Sequence, residues 1–211
     1  MLKEELEKLV EDPNVLYIYE IGLQIYGLFE DVEDRDFLVI INNDCTIPTV
    51  NDGNFTFVRV KDWFEHVLSN DIVAWECACL PKKYILKEHV KLLLQTDPLK
   101  LRKEFDKKIK TVYSKLPKLF SEGNTLTAQK ELFELLKYLI FANQIIENHK
   151  IVNFKVIGNI YKQMVDGTVT DQDTILDTAS KLSESPGKIF ANNTDSILRA
   201  SKIKKILQEK R

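Results

Sequence analysis

The chain is poor in the residues that cross-link or break structure: its 211 residues include 3 Cys, 7 Gly and 6 Pro. Three cysteines, an odd number without framework spacing, leave no disulfide scaffold to expect and point to a reducing, intracellular (cytoplasmic) setting. Cys77 and Cys79 lack a second pair at zinc spacing and are expected as small buried hydrophobes. The scarcity of Gly and Pro excludes collagen-like and low-complexity architectures and favours helix. Histidine is limited to His66, His89 and His149. None has a partner motif, so surface or helix-end positions are expected for them. No apolar run approaches the roughly 20 residues that span a bilayer, so no membrane contact is expected. The opening MLKEELEKLVED is charged and amphipathic, without the apolar core of a secretory signal. Neither charge sign dominates: 30 basic side chains face 32 acidic ones. Global charge therefore selects neither nucleic acid nor membrane, and such contacts would need local patches.

What the chain does have is an ordinary globular balance, 44% hydrophobic and 29% charged. Leu2, Leu6, Leu9 and Val10 recur at helical spacing, and Asp12-Pro13-Asn14 ends that helix. Val15 to Ile21 (VLYIYEI) is β-branched and aromatic and predicts a strand ending at Gly22. Phe37 to Ile41 (FLVII) is a short apolar run followed by turn residues, the pattern of a buried strand. Asn54 to Val60 alternates and predicts a third strand, with a helix over Lys61 to Ser69. Beyond Pro81 strand signals fade, and helices are expected over Tyr84–Leu94, Lys100–Leu116, Leu126–Ile146, Lys155–Met164, Ile175–Leu182 and Asp195–Gln208. In Leu126–Ile146 a wide apolar face runs through Leu132, Leu135, Leu136, Leu139, Ile140 and Ile146. The expectation is an α+β protein: a small mixed sheet in residues 1–90 and a helical half in residues 91–211.

The chemistry is concentrated between the first two strands. There the first strand leads into Gly22-Leu23-Gln24-Ile25-Tyr26-Gly27, and Asp34-Arg35-Asp36 opens the second. A glycine at a strand end lets backbone approach a phosphate closely, and the amides that follow can bind anionic oxygens. Carboxylates at i and i+2 on extended chain point to one face, about 7 Å apart. Such a pair can hold a divalent ion, and all-oxygen ligation suits Mg²⁺ or Mn²⁺. This ordered pattern resembles the DNA polymerase β-like nucleotidyltransferase superfamily, in which strand, Gly-Ser, a second glycine and Asp-x-Asp follow one another. Gly22, Tyr26 and Gly27 match the glycine part, and Asp34 and Asp36 the acidic pair. Trp63–Leu68, Asp71–Cys77, Leu80-Pro81 and Tyr84–Leu86 are similar to predicted small nucleotidyltransferases. The resemblance covers roughly Val15 to Leu86, with a weaker part from Leu132 to Phe154.

The resemblance implies a metal-dependent transfer of a nucleoside monophosphate from a nucleoside triphosphate to an acceptor. Asp34 and Asp36 would be catalytic and hold the metal, while Gly22, Leu23, Tyr26 and Gly27 would bind the nucleotide. Two positions depart from the pattern. The family serine is Leu23 here, and the third strand carries no acid within it, Asp52 preceding it and Asn54 starting it. A second expectation therefore stands beside the first: a degenerate member of the same fold, a pseudoenzyme kept for nucleotide sensing, structure or protein contact. Glu76 is expected on a helix surface. The run Lys100, Arg102, Lys103, Lys107, Lys108, Lys110, Lys115 and Lys118 is the candidate nucleic-acid face, although Glu104 and Asp106 interrupt it.

Overall fold

Residues 2–28, 35–46, 51–52 and 54–165 are described in the computed structural model of the chain. The β-branched and aromatic run VLYIYEI forms β1 (Val15–Ile21), and the apolar run after it forms β2 (Asp36–Ile41). A two-residue β3 (Asn51–Asp52), β4 (Phe55–Arg59) and β5 (Ile85–Glu88) complete a five-stranded sheet in the order β3-β4-β2-β1-β5. The sheet is mixed: β1 lies antiparallel to β2 and β5, β2 runs parallel to β4, and β3 is antiparallel to β4. Among the described residues six α-helices accompany it: α1 (Leu2–Glu11), α2 (Val60–Ser69), α3 (Ile72–Cys79), α4 (Pro98–Ser121), α5 (Thr125–Asn148) and α6 (Lys155–Val165). The expected α+β class is met.

Register sorts the side chains onto two faces. Pairing Ile18 with Val39, Glu20 with Phe37 and Val39 with Phe57 places these residues on one face. There Val15, Ile18, Phe37, Val39, Ile41, Cys45 and Phe55 form a buried core, covered by Leu2, Leu6, Leu9 and Val10 of α1. Pairing Tyr19 with Leu38 and Ile21 with Asp36 assigns these to the opposite face. On that face Trp63 of α2 packs on Tyr19, with ring centres 6.1 Å apart. The i, i+2 alternation thus puts Arg35 and Asp36 on opposite faces of the sheet.

The described chain divides into two compact units. One is Met1–Gln95 with Asn153–Gly158, and the other is Thr96–Val152 with the residues from Asn159 on. The first contains the sheet with α1 to α3 and the opening turn of α6. In the second, Asp97 caps α4 by accepting from the amides of Leu99 and Lys100 at 3.1 Å, with Pro98 as the first helical residue. Helix α5 closes on His149, which adopts the left-handed conformation at φ 55°. Phe105 packs against Tyr138, whose hydroxyl donates to the Leu101 carbonyl at 3.2 Å. Leu135, Leu136, Leu139 and Ile140 are buried, as their spacing predicted.

Three expectations about elements are corrected. Tyr84–Leu94 is not a helix: Ile85–Glu88 is a strand, because the free edge of β1 offers a hydrogen-bonding ladder that local periodicity cannot reveal. Val60 starts α2 instead of ending β4. Helix α4 continues past Pro117 to Ser121, although an interior proline removes a backbone donor and crowds the carbonyl four residues back. The helices expected over Ile175–Leu182 and Asp195–Gln208 lie outside the described residues.

Candidate functional site

The corner between β1 and β2 is built on two glycines with positive φ. At the end of β1, Gly22 has φ 98° and ψ −161°, a conformation that side-chain-bearing residues avoid. A Cβ there would meet the Asp36 carboxylate oxygen Oδ2 at 3.0 Å and Gln24 Oε1 at 3.3 Å. The missing side chain thus leaves a small space with an oxygen on two sides. A 3₁₀ turn, Leu23–Tyr26, follows and is closed by Gly27 at φ 75°. Its closure is the donation of Gly27 N–H to the Gln24 carbonyl at 3.0 Å and of Leu28 N–H to Leu23 at 3.2 Å.

Other elements hold this turn rigidly. Tyr26 is 5% exposed, and its hydroxyl donates to Glu76 Oε1 at 2.5 Å from within the protein. Glu76, also 5% exposed, belongs to α3, whose N-terminus Asp71 caps by accepting from Val73 N–H at 2.9 Å. The expectation that Glu76 lies on a helix surface is therefore corrected. A carboxylate is tolerated inside the apolar helix IVAWECAC because a buried phenol satisfies it. The Tyr84 hydroxyl donates to the Gln24 carbonyl at 3.3 Å. From α6, Gly158 presses on the turn so closely that a Cβ would fall 2.2 Å from the Tyr26 carbonyl oxygen. The stem of Lys155 runs over Gly27, its Cγ 3.6 Å from where a Cβ would stand.

Asp36 opens β2 on the exposed side of this corner, and its flanking residues are anchored elsewhere. On the other face, Arg35 Nε donates to Glu20 Oε1 at 2.9 Å, and a second guanidinium nitrogen bonds Glu20 Oε2. Glu20 is 4% exposed, and the guanidinium also lies 5.3 Å above the Phe37 ring. The hydrogen bonds to Glu20 push the Arg35 guanidinium above its already high pKa, so it stays charged. Asn54, just before β4, donates its side-chain amide to the Arg35 carbonyl and accepts Phe37 N–H on its own carbonyl, each at 2.8 Å. Asp52 is in β3 and pairs with Phe55, so β4 separates it from β2, roughly 10 Å away across two strand spacings. Asp34 lies outside the described residues.

The structure thus brings Gly22 and Asp36 together, with Gln24 beside them, and leaves Leu23 half-buried in the turn. Tyr26 faces the interior with its phenol, leaving only backbone groups for any ligand outside. Among the described residues no three His, Cys, Asp or Glu side chains converge as a metal cluster. The donors that do meet, one carboxylate and one amide oxygen round an open glycine, are oxygens. They fit a hard cation that supplies its remaining ligands as water or phosphate. Compared with protein-family models, curated proteins and solved structures, the chain matches none.

Beyond the corner, the chemistry is quieter. Burial pushes the Cys77 thiol well up, and burial also raises the Tyr19 phenol. Neither Tyr19 Oη nor Trp63 Nε1 has a hydrogen-bond partner among the described residues. In the basic run on α4, Lys100, Lys107 and Lys118 each meet an acid within the helix or at its ends, and Lys115 pairs with Glu131 of α5 at 2.7 Å. No helix among the described residues is long and apolar enough to cross a membrane.

Sequence reasoning passed over Glu20, placed Glu76 on a helix surface, and noted Asn54 only for the carboxylate it lacks. For the two acids a signal existed: each is the lone charge in an otherwise apolar element, and such a charge needs a buried partner. The role of Asn54 had none, because it depends on the register between β2 and β4.

Proposed function

We propose that the chain is a metal-dependent nucleotidyltransferase, moving a nucleoside monophosphate from a nucleoside triphosphate to an acceptor. The observation that carries this reading is the contact of Gly22 with the Asp36 carboxylate at a strand–turn–strand corner. Support also comes from the antiparallel β1–β2 pair and the parallel β2–β4 pair, which set the candidate phosphate turn, the acid and the third strand side by side. On this reading the sheet and its covering helices form a nucleotidyltransferase-like domain. Asp36, with Asp34 two residues earlier on the chain, would hold Mg²⁺ or Mn²⁺. The ion would supply charge neutralisation at the phosphates. The backbone of the Gly22–Gly27 turn would receive phosphate oxygens, and its rigidity would keep those amides oriented before the ligand arrives. Lys155, whose stem lies across Gly27, is a cation beside that turn for an anionic ligand.

A second reading, a nucleotide-binding protein of the same fold without transfer activity, is favoured by Leu23 and Asn54. Leu23 supplies no hydroxyl to a phosphate, and Asn54 gives no carboxylate at the start of the strand beside Asp36. Without a third acid, the group that would activate the attacking hydroxyl is missing from that place.

The test is thermal unfolding with Mg²⁺ or Mn²⁺ and each ribonucleoside triphosphate, for the wild type and for Asp34→Asn with Asp36→Asn. At 100 times its dissociation constant a nucleotide adds about 2.7 kcal/mol of stability. A metal-dependent rise in Tm that the double variant loses is expected. A folded wild type that no nucleotide stabilises would refute both readings. Multiple-turnover transfer abolished by Asp36→Asn would select the first.

A further inference from the structure

Asn54 occupies the start of the strand beside β2, where the resemblance called for a third carboxylate, and its hydrogen bonds give it different work. Its carbonyl accepts Phe37 N–H and its side-chain amide donates to the Arg35 carbonyl, both at 2.8 Å. The two bonds bracket Asp36, one on the peptide unit before it and one on the unit after it. From the other side β1 holds the same residue, because Ile21 is paired with Asp36. Arg35 is held a second time, through its side chain, by the buried Glu20 of β1. Asp36 is thus exposed to solvent while the chain on both sides of it is fixed to two neighbouring strands.

We propose that Asn54 and the Arg35–Glu20 pair are positioning residues: they clamp the backbone around Asp36 so that its carboxylate stands beside Gly22, and Asn54 is not itself a metal ligand. The inference rests on the reading of Asp36 as the metal-holding acid. It adds that the position of the supposed missing carboxylate is filled by a group the site requires. An aspartate there would lose the amide donor and turn an oxygen toward the Arg35 carbonyl oxygen, so the bracket would open on one side. Ordinarily an added carboxylate beside a cation site strengthens binding by Coulomb attraction. The clamp therefore predicts a sign opposite to that of a restored ligand.

The experiment is a titration of the full chain with Mn²⁺, alone and with a nucleoside triphosphate, reading free Mn²⁺ by electron paramagnetic resonance. Folding of each variant is checked by thermal unfolding. For Asn54→Asp and Asn54→Ala the Mn²⁺ affinity is expected to fall about 10- to 100-fold, the usual loss when a group supporting a metal ligand is removed. A rise in affinity with Asn54→Asp would make position 54 a ligand site and overturn the proposal. Unchanged affinity in both variants would overturn it equally. Should the Asn54 variants fail to fold, Glu20→Met with Arg35→Met decides, because removing both partners leaves no unpaired charge on the buried Glu20 side. Wild-type Tm with weakened Mn²⁺ binding supports the clamp, whereas wild-type Tm with wild-type Mn²⁺ binding refutes it. A wild type that binds no Mn²⁺ removes the metal reading and the clamp together. A wild type that binds Mn²⁺ with variants that bind it equally well removes the clamp alone.

Discussion

Replacing Gly158 with alanine sets two effects of opposite sign against each other. The residue is the fourth of α6, where a glycine-to-alanine change normally favours helix by about 1 kcal/mol. Against this, the new methyl would stand 2.2 Å from the Tyr26 carbonyl oxygen and 3.3 Å from Leu28 Cγ. The first distance is about 1 Å short of the roughly 3.3 Å at which carbon and carbonyl oxygen ordinarily meet. Backbone cannot rotate away as a side chain can, so either the turn shifts or the opening of α6 lifts off. Lifting would uncover Phe154 and Ile157, both buried. Each such side chain contributes about 1.5–3 kcal/mol by its burial. The clash therefore wins, with a net loss of about 2–4 kcal/mol and a fall in Tm on the order of 10 °C. Thermal and urea unfolding followed by tryptophan fluorescence reads this directly, since Trp63 and Trp75 are both buried in the unit that contains the corner. Gly123→Ala is the control for a change without a clash: unlike helical Gly158 it has a positive φ of 70°, but nothing lies within 4 Å, leaving only the left-handed strain of about 1–2 kcal/mol. A Gly158→Ala variant as stable as the wild type would refute the close packing of α6 on the Tyr26 turn.

Two further outcomes are expected. Tyr26→Phe leaves the Glu76 carboxylate buried without its phenol donor and is expected to destabilise by about 1–3 kcal/mol in urea unfolding. Adding Glu76→Leu should recover most of that loss, and independent, additive losses would show that the two side chains are not coupled. Tyr19→Phe removes a buried hydroxyl that no described residue satisfies, so stability near neutral pH should be unchanged or raised by about 1 kcal/mol. Burial raises the Tyr19 pKa above the unfolded value of 10. Its contribution is fully present below about pH 10 and is lost as the pH climbs toward the folded pKa, because the unfolded phenol ionises first. Alkaline unfolding should accordingly move to higher pH in Tyr19→Phe, and an unchanged midpoint would contradict this account.

Much of the secondary structure was legible locally because its signals are local. VLYIYEI and FLVII are short, β-branched and bounded by Gly22 and by Asn42-Asn43, and both are strands. Helix α4 starts ahead of the expected Lys100, at the cap Asp97 and first-turn Pro98, a local signal that reading by spacing passed over. The helical stretches of α1, α5 and α6 follow from 3.6-residue spacing alone. The closeness of Gly22 to Asp36 was also foreseeable, since the two residues flank one connection between adjacent strands.

Tertiary structure alone decided the rest. Ile85–Glu88 became a strand because β1 had an unpaired edge, a fact held in the sheet and not in those four residues. Glu76 is buried because Tyr26, 50 positions earlier, donates to it, and Gly158 is required because α6 returns to the same turn. Asn54 is bound to the backbone around Asp36 through a parallel register that no pattern of residues encodes. Periodicity reports which face of an element is apolar. Which distant group satisfies a buried charge, and which glycine leaves room for a neighbouring backbone, is set when those elements meet.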